Sequence, residues 1–323
     1  MIHSITDNAR ITRPFLSKYQ GKLTSSEELI VFFSPNDSYF SREFISGMRT
    51  CLTTYMSYVS FTSYWGDNND IADLKRIAQR IIKEKVGIVF TIGPATTKIM
   101  MAAAAEALHK PEIIFVGPHP ETIPATLSVT GIVQTPYDYA KQISLFKKLT
   151  LNRVDRVLLV STALCQQYTA DEIFKATDVL KKEFTKTHVA ILNDNDDVAT
   201  IIAPYLTEID FIMMPRDNLS TRHLNDLIDL CIDHKKPLLG SSLRMADEGA
   251  AIVFGRSDYD DGYQASELIY PHFAQNIPCR DITPQTLIDR SFIGLNRITM
   301  SLQGFEINAD ALKEKLEYPV ILR

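Results

Sequence analysis

The stretch "VGIVFTIGPATTKIMMAAAAEALHK" (86–110) decides how the rest of the chain is read. The run 86–91 is rich in Val, Ile and Phe, as a buried strand is. Gly93-Pro94 interrupts it, and a helical pattern follows at once. A proline at the first helical position has its φ pre-set, and the N–H it lacks would have had no helical partner anyway. Gly93 lets the backbone come close, and the hydroxyls of Thr96 or Thr97 can cap the helix or contact a ligand. Strand, tight turn and helix make the repeating unit of a parallel α/β sheet. The G-x-x-x-x-G-K-[ST] and G-x-G-x-x-G spacings that hold nucleotides are both missing, so no cofactor is expected.

The pattern recurs outward from this unit. "LIVFF" (29–33), "YVSFTSYW" (58–65), "EIIFVG" (112–117) and "SVTGIV" (128–133) read as strands, with a helical pattern in "DIADLKRIAQRIIKEK" (70–85). A second series holds "RVLLVS" (156–161), "HVAILN" (188–193), "DFIMMP" (210–215) and "PLLGSS" (237–242). The two α/β halves meet near "TPYDYA" (135–140), where Pro136 ends an extended run. No long linker parts them, which implies lobes that share one site.

Composition narrows the function. The 323 residues are 45% hydrophobic with net charge −5, enough apolar material for two domains and no basic excess. A clustered Lys/Arg face is absent, so neither nucleic acid nor an anionic membrane is expected as a partner. The opening "MIHSITDNARITRPF" has no apolar core of a signal peptide, and no window is apolar enough to cross a membrane. Cys51, Cys165, Cys231 and Cys279 lie too far apart for a zinc site and read as buried thiols; Cys165 has no assignable base beside it.

Ligands of open parallel sheets bind beyond the carboxyl ends of the strands. Six strand-end loops place small or polar residues there: 32–40, 91–97, 115–122, 159–167, 213–221 and 238–251. Together they can line one cleft.

Two further segments carry a family resemblance. "MPRDNLS" (214–220) resembles a Pro-Thr-Asp-Asn segment, and "PLLGSSLRMADEGAAIVFGRSDYDDG" (237–262) resembles a Pro-Val-Phe-Gly segment, a crossing strand and an Asp-Tyr-Tyr helix start. "VTGIV" (129–133) and "INADALKEKLEYPVI" (307–321) also fit. These segments are similar to those of ABC transporter substrate-binding proteins of the type I periplasmic-binding fold, in the group of tryptophan- and tyrosine-binding lipoproteins. The resemblance implies an α/β protein with two Rossmann-like lobes on parallel sheets, joined by a three-crossing hinge. Residues 1–28 form an extension, 29–134 with 249–278 the first lobe, and 135–248 with 279–323 the second. Hinges are expected at Gln134–Pro136, Met245–Gly249 and Cys279–Thr283.

The implied function is non-enzymatic capture of a small molecule, an amino acid or related zwitterion, by a monomer that serves ABC permease and ATPase subunits outside the cytoplasm, in the periplasm or on a lipid anchor. A ligand-sensing regulatory module of the same fold is the alternative. Carried over by position, Asp217 meets an amino group with Asn218 beside it, and Pro94, Ala95 and Thr96 hold a carboxylate at the helix start, with Gly93 next to them in the ligand shell. Asn36, Asp37, Ser38, Tyr39, Gly117, Pro118, His119, Ser161, Thr162, Ser241 and Ser242 complete the expected ligand shell.

Several residues depart from the group's pattern. "SPNDSYF" replaces Asn-His-Pro-Ala-Leu-Asp after the first strand, "GPHPET" replaces Val-Thr-Asp-Pro, Gly93 replaces a threonine, and Arg216 stands beside Asp217. Such changes leave the ligand open between an aromatic amino acid and another zwitterion. Tyr39 and Phe40 are candidates for an aromatic wall, Trp65 reads as lobe core, and "NDNDDV" (193–198) reads as a solvated loop because it lacks an EF-hand's glycine and glutamate.

Overall fold

A computed structural model describes residues 28–37, 39–55, 59–66, 70–134, 137–162, 168–193, 195–215, 221–275, 277–313 and 318–322. The first half alternates β1 (Glu28–Ser34), α1 (Tyr39–Tyr55), β2 (Val59–Trp65), α2 (Ile71–Lys83), β3 (Ile88–Ile92), α3 (Pro94–Ala105), β4 (Glu112–Gly117) and β5 (Val129–Val133). After it come α4 (Tyr139–Leu149), β6 (Arg156–Thr162), α5 (Tyr168–Glu183), β7 (Lys186–Leu192), α6 (Val198–Ile202), β8 (Phe211–Met213), α7 (Thr221–Asp233), β9 (Leu238–Ser242), α8 (Leu243–Glu248) and β10 (Ile252–Arg256). The chain ends with α9 (Asp258–Gln275), β11 (Gln285–Thr286), β12 (Phe292–Leu295), α10 (Arg297–Leu302), α11 (Ala309–Lys313) and β13 (Val320–Leu322).

Two sheets result, ordered β11-β5-β4-β3-β1-β2 and β13-β12-β10-β9-β8-β6-β7. Every described pair is parallel except β10 with β12. The period-2 alternation of side chains divides each sheet between two cores. In the first, Ile30, Phe32 and Phe90 face one helix layer, while Val31, Phe33 and Val89 face the other. In the second, Leu158 and Ile212 oppose Leu159 and Phe211 in the same way. Helices cover both faces, so β3 is buried at all five positions and reads as an unbroken apolar run. α2 buries Leu74, Ala78 and Ile81 along one stripe, and Asp70 caps it by accepting the Ala72 N–H at 2.8 Å.

Sheet membership corrects the expected boundaries. β10 pairs with β9 and β12, so the chain stays in the second sheet beyond 249 and changes lobe only after Arg256. Gly249 is the C-cap of α8 at φ +129°, a turn inside the second lobe, and the Gln303 side chain donates to its carbonyl at 3.1 Å. The segment 279–283 belongs to the first lobe: the Glu112 carboxylate accepts the Cys279 N–H at 2.6 Å, and Thr130 donates to the Ile282 carbonyl at 2.8 Å. β11 then pairs with β5, which places the third change of sheet between Thr286 and Phe292. By sheet, the first lobe is 28–134 with 258–286, and the second is 137–256 with 292–322.

Candidate functional site

The carboxyl edges of the two sheets lie close together. The chain leaves β5 at Gln134, and by Tyr137 its hydroxyl donates to the carbonyls of Ser241 and Phe254 at the carboxyl ends of β9 and β10. Three residues span at most about 11 Å. The loops beyond both edges therefore share one interlobe region.

On the first lobe the site is built around the β3–α3 turn. Gly93 adopts φ +88° and donates its N–H to the Val116 carbonyl at 2.8 Å, bringing the ends of β3 and β4 together. Thr96 and Thr97 do not cap the helix. Burial turns their hydroxyls back onto the chain, Thr96 donating to the Ile92 carbonyl at 2.7 Å and Thr97 to the Gly93 carbonyl at 2.8 Å. Among the described residues no side-chain hydrogen bond caps α3, and its first backbone bond runs from Thr97 N–H to Gly93 O at 3.2 Å. The N–H groups of Ala95 and Thr96 have no intrahelical acceptor, and no described residue is bonded to them, at the start of a helix whose dipole favours an anion. Pro94 and Ala95 are exposed beside them.

Two neighbours add complementary groups. Gln134, the next residue after β5, donates its backbone N–H toward the Gly117 carbonyl at 3.4 Å, and its buried Nε2 has no acceptor among the described residues. After β1, the Ser34 hydroxyl donates to Asn36 O at 2.9 Å, while the buried Asn36 Oδ1 receives no donor among those residues. Sequence reasoning placed Gln134 only in the hinge. A polar residue directly after an apolar strand was the signal available for it.

The other expected residues have varied placements. Asp37 is exposed and paired with Arg42, whose hydrogen bond holds the carboxyl below the usual range against a small opposing effect of burial. Phe40 does not form an aromatic wall: it packs into the first-lobe core, its ring 5.8 Å from Phe44. Trp65 also packs against that core, while Asn193 and Asp196 form a self-bonded turn. Gly117 is buried and Pro118 exposed. His119 is exposed, hydrogen-bonded to the Pro120 carbonyl at 2.7 Å, and borders a groove of about 360 Å³ that Arg280–Pro284 also line. On the second lobe Ser161 is fully buried, Ser241 faces Met245 with its N–H 3.3 Å from Sδ, and Ser242 is half-buried at the start of α8. Ser38, Cys165, Arg216, Asp217, Asn218 and the side chains of Tyr39 and Thr162 lie outside the described residues.

Arg256, which sequence reasoning passed over, ends β10 at 3% exposure, with Nε 3.7 Å from Asp261 Oδ2. Cys51, Cys231 and Cys279 are buried, and burial pushes their thiols up, that of Cys51 to about 12, which makes them poor nucleophiles. Among the described residues no helix is long and apolar enough to cross a membrane.

A sequence profile described as "ABC transporter substrate binding protein" matches residues 58–318. No curated protein matches the chain. Similar solved structures include an "ABC domain" in complex with L-Trp from Streptococcus pneumonia, 15% identical over 90% of this chain and 99% of that one, with a TM-score of 0.71. A LacI transcriptional regulator from Lactobacillus brevis is 13% identical over 82% and 99%, with a TM-score of 0.62. An ABC transporter solute-binding protein from Burkholderia graminis, in complex with D-arabinose, is 12% identical over 83% and 95%, with a TM-score of 0.60. At such identities the likeness shows the fold alone, the type I periplasmic-binding architecture.

Proposed function

The chain belongs to the family of ABC transporter substrate-binding proteins, and from that premise we propose that it captures a small zwitterion, an amino acid or a related metabolite, between its lobes. The observation that carries this reading is the uncapped start of α3. The open N–H groups of Ala95 and Thr96, with Gln134 Nε2 nearby, suit a carboxylate. Asn36 Oδ1 is an acceptor suited to an ammonium. Asp217 is the carboxylate assigned to that ammonium by sequence position, with Asn218 beside it. The remaining predicted shell residues are kept in this reading as lining.

Such a protein performs no bond chemistry. It works outside the cytoplasm as a monomer and hands its ligand to permease and ATPase subunits. The likeness to a LacI regulator favours a second reading, in which the same cleft serves a sensing module.

A thermal-shift screen over amino acids, with D-arabinose and myo-inositol as sugar and polyol controls, tests the ligand class. A ligand present at a hundredfold its Kd stabilises the native state by about 2.7 kcal/mol, enough to raise Tm measurably. A response to D-arabinose alone would overturn the zwitterion. Association with a cognate permease in detergent would separate transport from sensing.

A further inference from the structure

The second lobe crossing is one residue long. β10 ends at Arg256 in the second sheet and α9 begins at Asp258 in the first lobe, leaving Ser257 as the pivot. Its hydroxyl accepts the Asp260 N–H at 3.1 Å and its carbonyl the Asp261 N–H at 2.9 Å, so Ser257 also caps α9. The frame on each side is tied by hydrogen bonds and close packing. Before the pivot, Tyr137 donates to the Phe254 carbonyl at 2.5 Å, and Gln142 Nε2 reaches the Gly240 carbonyl at 3.2 Å. After it, α9 lies backbone to backbone on α1: a Cβ on Gly47 would sit 1.9 Å from the Tyr259 carbonyl oxygen, and one on Gly262 would sit 2.0 Å from that of Phe44.

An ion pair straddles this pivot. Arg256 comes from the second lobe and Asp261 from the first, their side chains 3% and 2% exposed and 3.7 Å apart at the nearest atoms. Taking two charges out of water is costly, and their mutual attraction is one of the contributions that offset it. At 3.7 Å the pair is beyond hydrogen-bond range, yet close enough for a small rotation to make or break direct contact. In a low-dielectric interior the energy changes steeply over that distance.

We propose that Arg256 and Asp261 form a hinge ion pair that sets the balance between lobe arrangements and, through it, the apparent affinity of the cleft. This rests on the reading of the chain as a two-lobed capture protein. Apparent affinity scales with the fraction of molecules in the binding-competent arrangement, so a pair at the pivot tunes capture through that fraction. Both are positioning residues.

The test places spin labels on the two lobes, at Glu106→Cys and Lys182→Cys, in a Cys165→Ser background. The buried thiols of Cys51, Cys231 and Cys279 label poorly at neutral pH. Interlobe distances are measured without ligand and with an equimolar mixture of the twenty common amino acids. Asp261→Asn and Arg256→Met should each shift the ligand-free distribution, and the double variant should show the same shift rather than the sum. Apparent affinity for the mixture should change by about fivefold or more. Arg256→Lys, which keeps the charge, should retain most of the wild-type distribution.

A fall in Tm with an unchanged distance distribution would make the pair merely structural and overturn the proposal. So would a lysine variant as displaced as the methionine one. A wild-type distribution that ignores the mixture counts against the zwitterion instead, because the ligand-free comparison of variants is read independently.

Discussion

Asp210 ties the amino ends of two strands together. Its Oδ2 accepts the N–H groups of Asp155 and Arg156 at 2.8 and 2.9 Å, and its Oδ1 accepts the Arg156 guanidinium at 2.6 Å. Burial works against the carboxylate, but these bonds outweigh it and hold the pKa below the ordinary range. A depressed folded pKa gives stability that is present above the unfolded value, about 3.9, and lost as pH falls through the folded one. Asp210→Ala should therefore lower Tm clearly at pH 7 and much less near pH 3. Equal losses at both values, measured by calorimetry, would show that the charge is not what matters. The ligand offers a second residue-scale test. If Asp217 meets the ligand's ammonium, Asp217→Ala weakens binding by about 2 to 4 kcal/mol, since it leaves a buried charge unpaired. Titration calorimetry with the ligand found in the screen measures it, and an unchanged Kd removes Asp217 from the site.

At the scale of elements, periodicity and punctuation are legible where they act locally. "EIIFVG" coincides with β4, and α2 falls within the helical pattern read for 70–85, because burial on both faces and a capping aspartate leave marks in adjacent residues. The candidate site was partly legible for the same reason: Gly93-Pro94 marks the turn into α3. The hydroxyls of Thr96 and Thr97 were misread, because burial against Ile92 and Gly93 has no sequence signature. Lobe membership was also misread at the end of α8. Met245–Gly249 reads as a hinge, yet Ile228 packs against Gly249: an added Cβ would lie 2.9 Å from Ile228 Cγ2. Which sheet β10 joins depends on pairing with Leu239 and Leu295, contacts that no local pattern encodes. Gly249→Val should destabilise the second lobe by about 2 kcal/mol or more through strain at positive φ and overpacking. Interlobe distances in the molecules that remain folded should be unchanged. Denaturant unfolding followed by hydrogen exchange in β9 and β10 measures the first part.

At the scale of the whole molecule, the three changes of sheet set where motion can occur. Tyr137 and Gln142 anchor the first crossing to the second lobe, and Glu112 and Thr130 anchor the third to the first lobe until β11. Any rotation between the lobes has to pass through the links after Gln134, at Ser257, and between Leu287 and Ser291. These are shorter than the hinges expected from sequence, and two of them lie in different places. A few element-terminal residues can absorb the change in φ and ψ while each lobe moves as a body. A ligand held by α3 on one lobe and by strand-end groups on the other favours the arrangement in which both reach it, by no more than its differential affinity for the two. Small-angle scattering should then show a smaller radius of gyration on saturation with the screened ligand. Hydrogen exchange should slow at the 93–97 and 117–119 loops and change at the three links, while the strand cores stay as they were. Binding with no change in radius or exchange at those positions would mean a preformed site in a rigid molecule, and the three links would be covalent connections without a mechanical role.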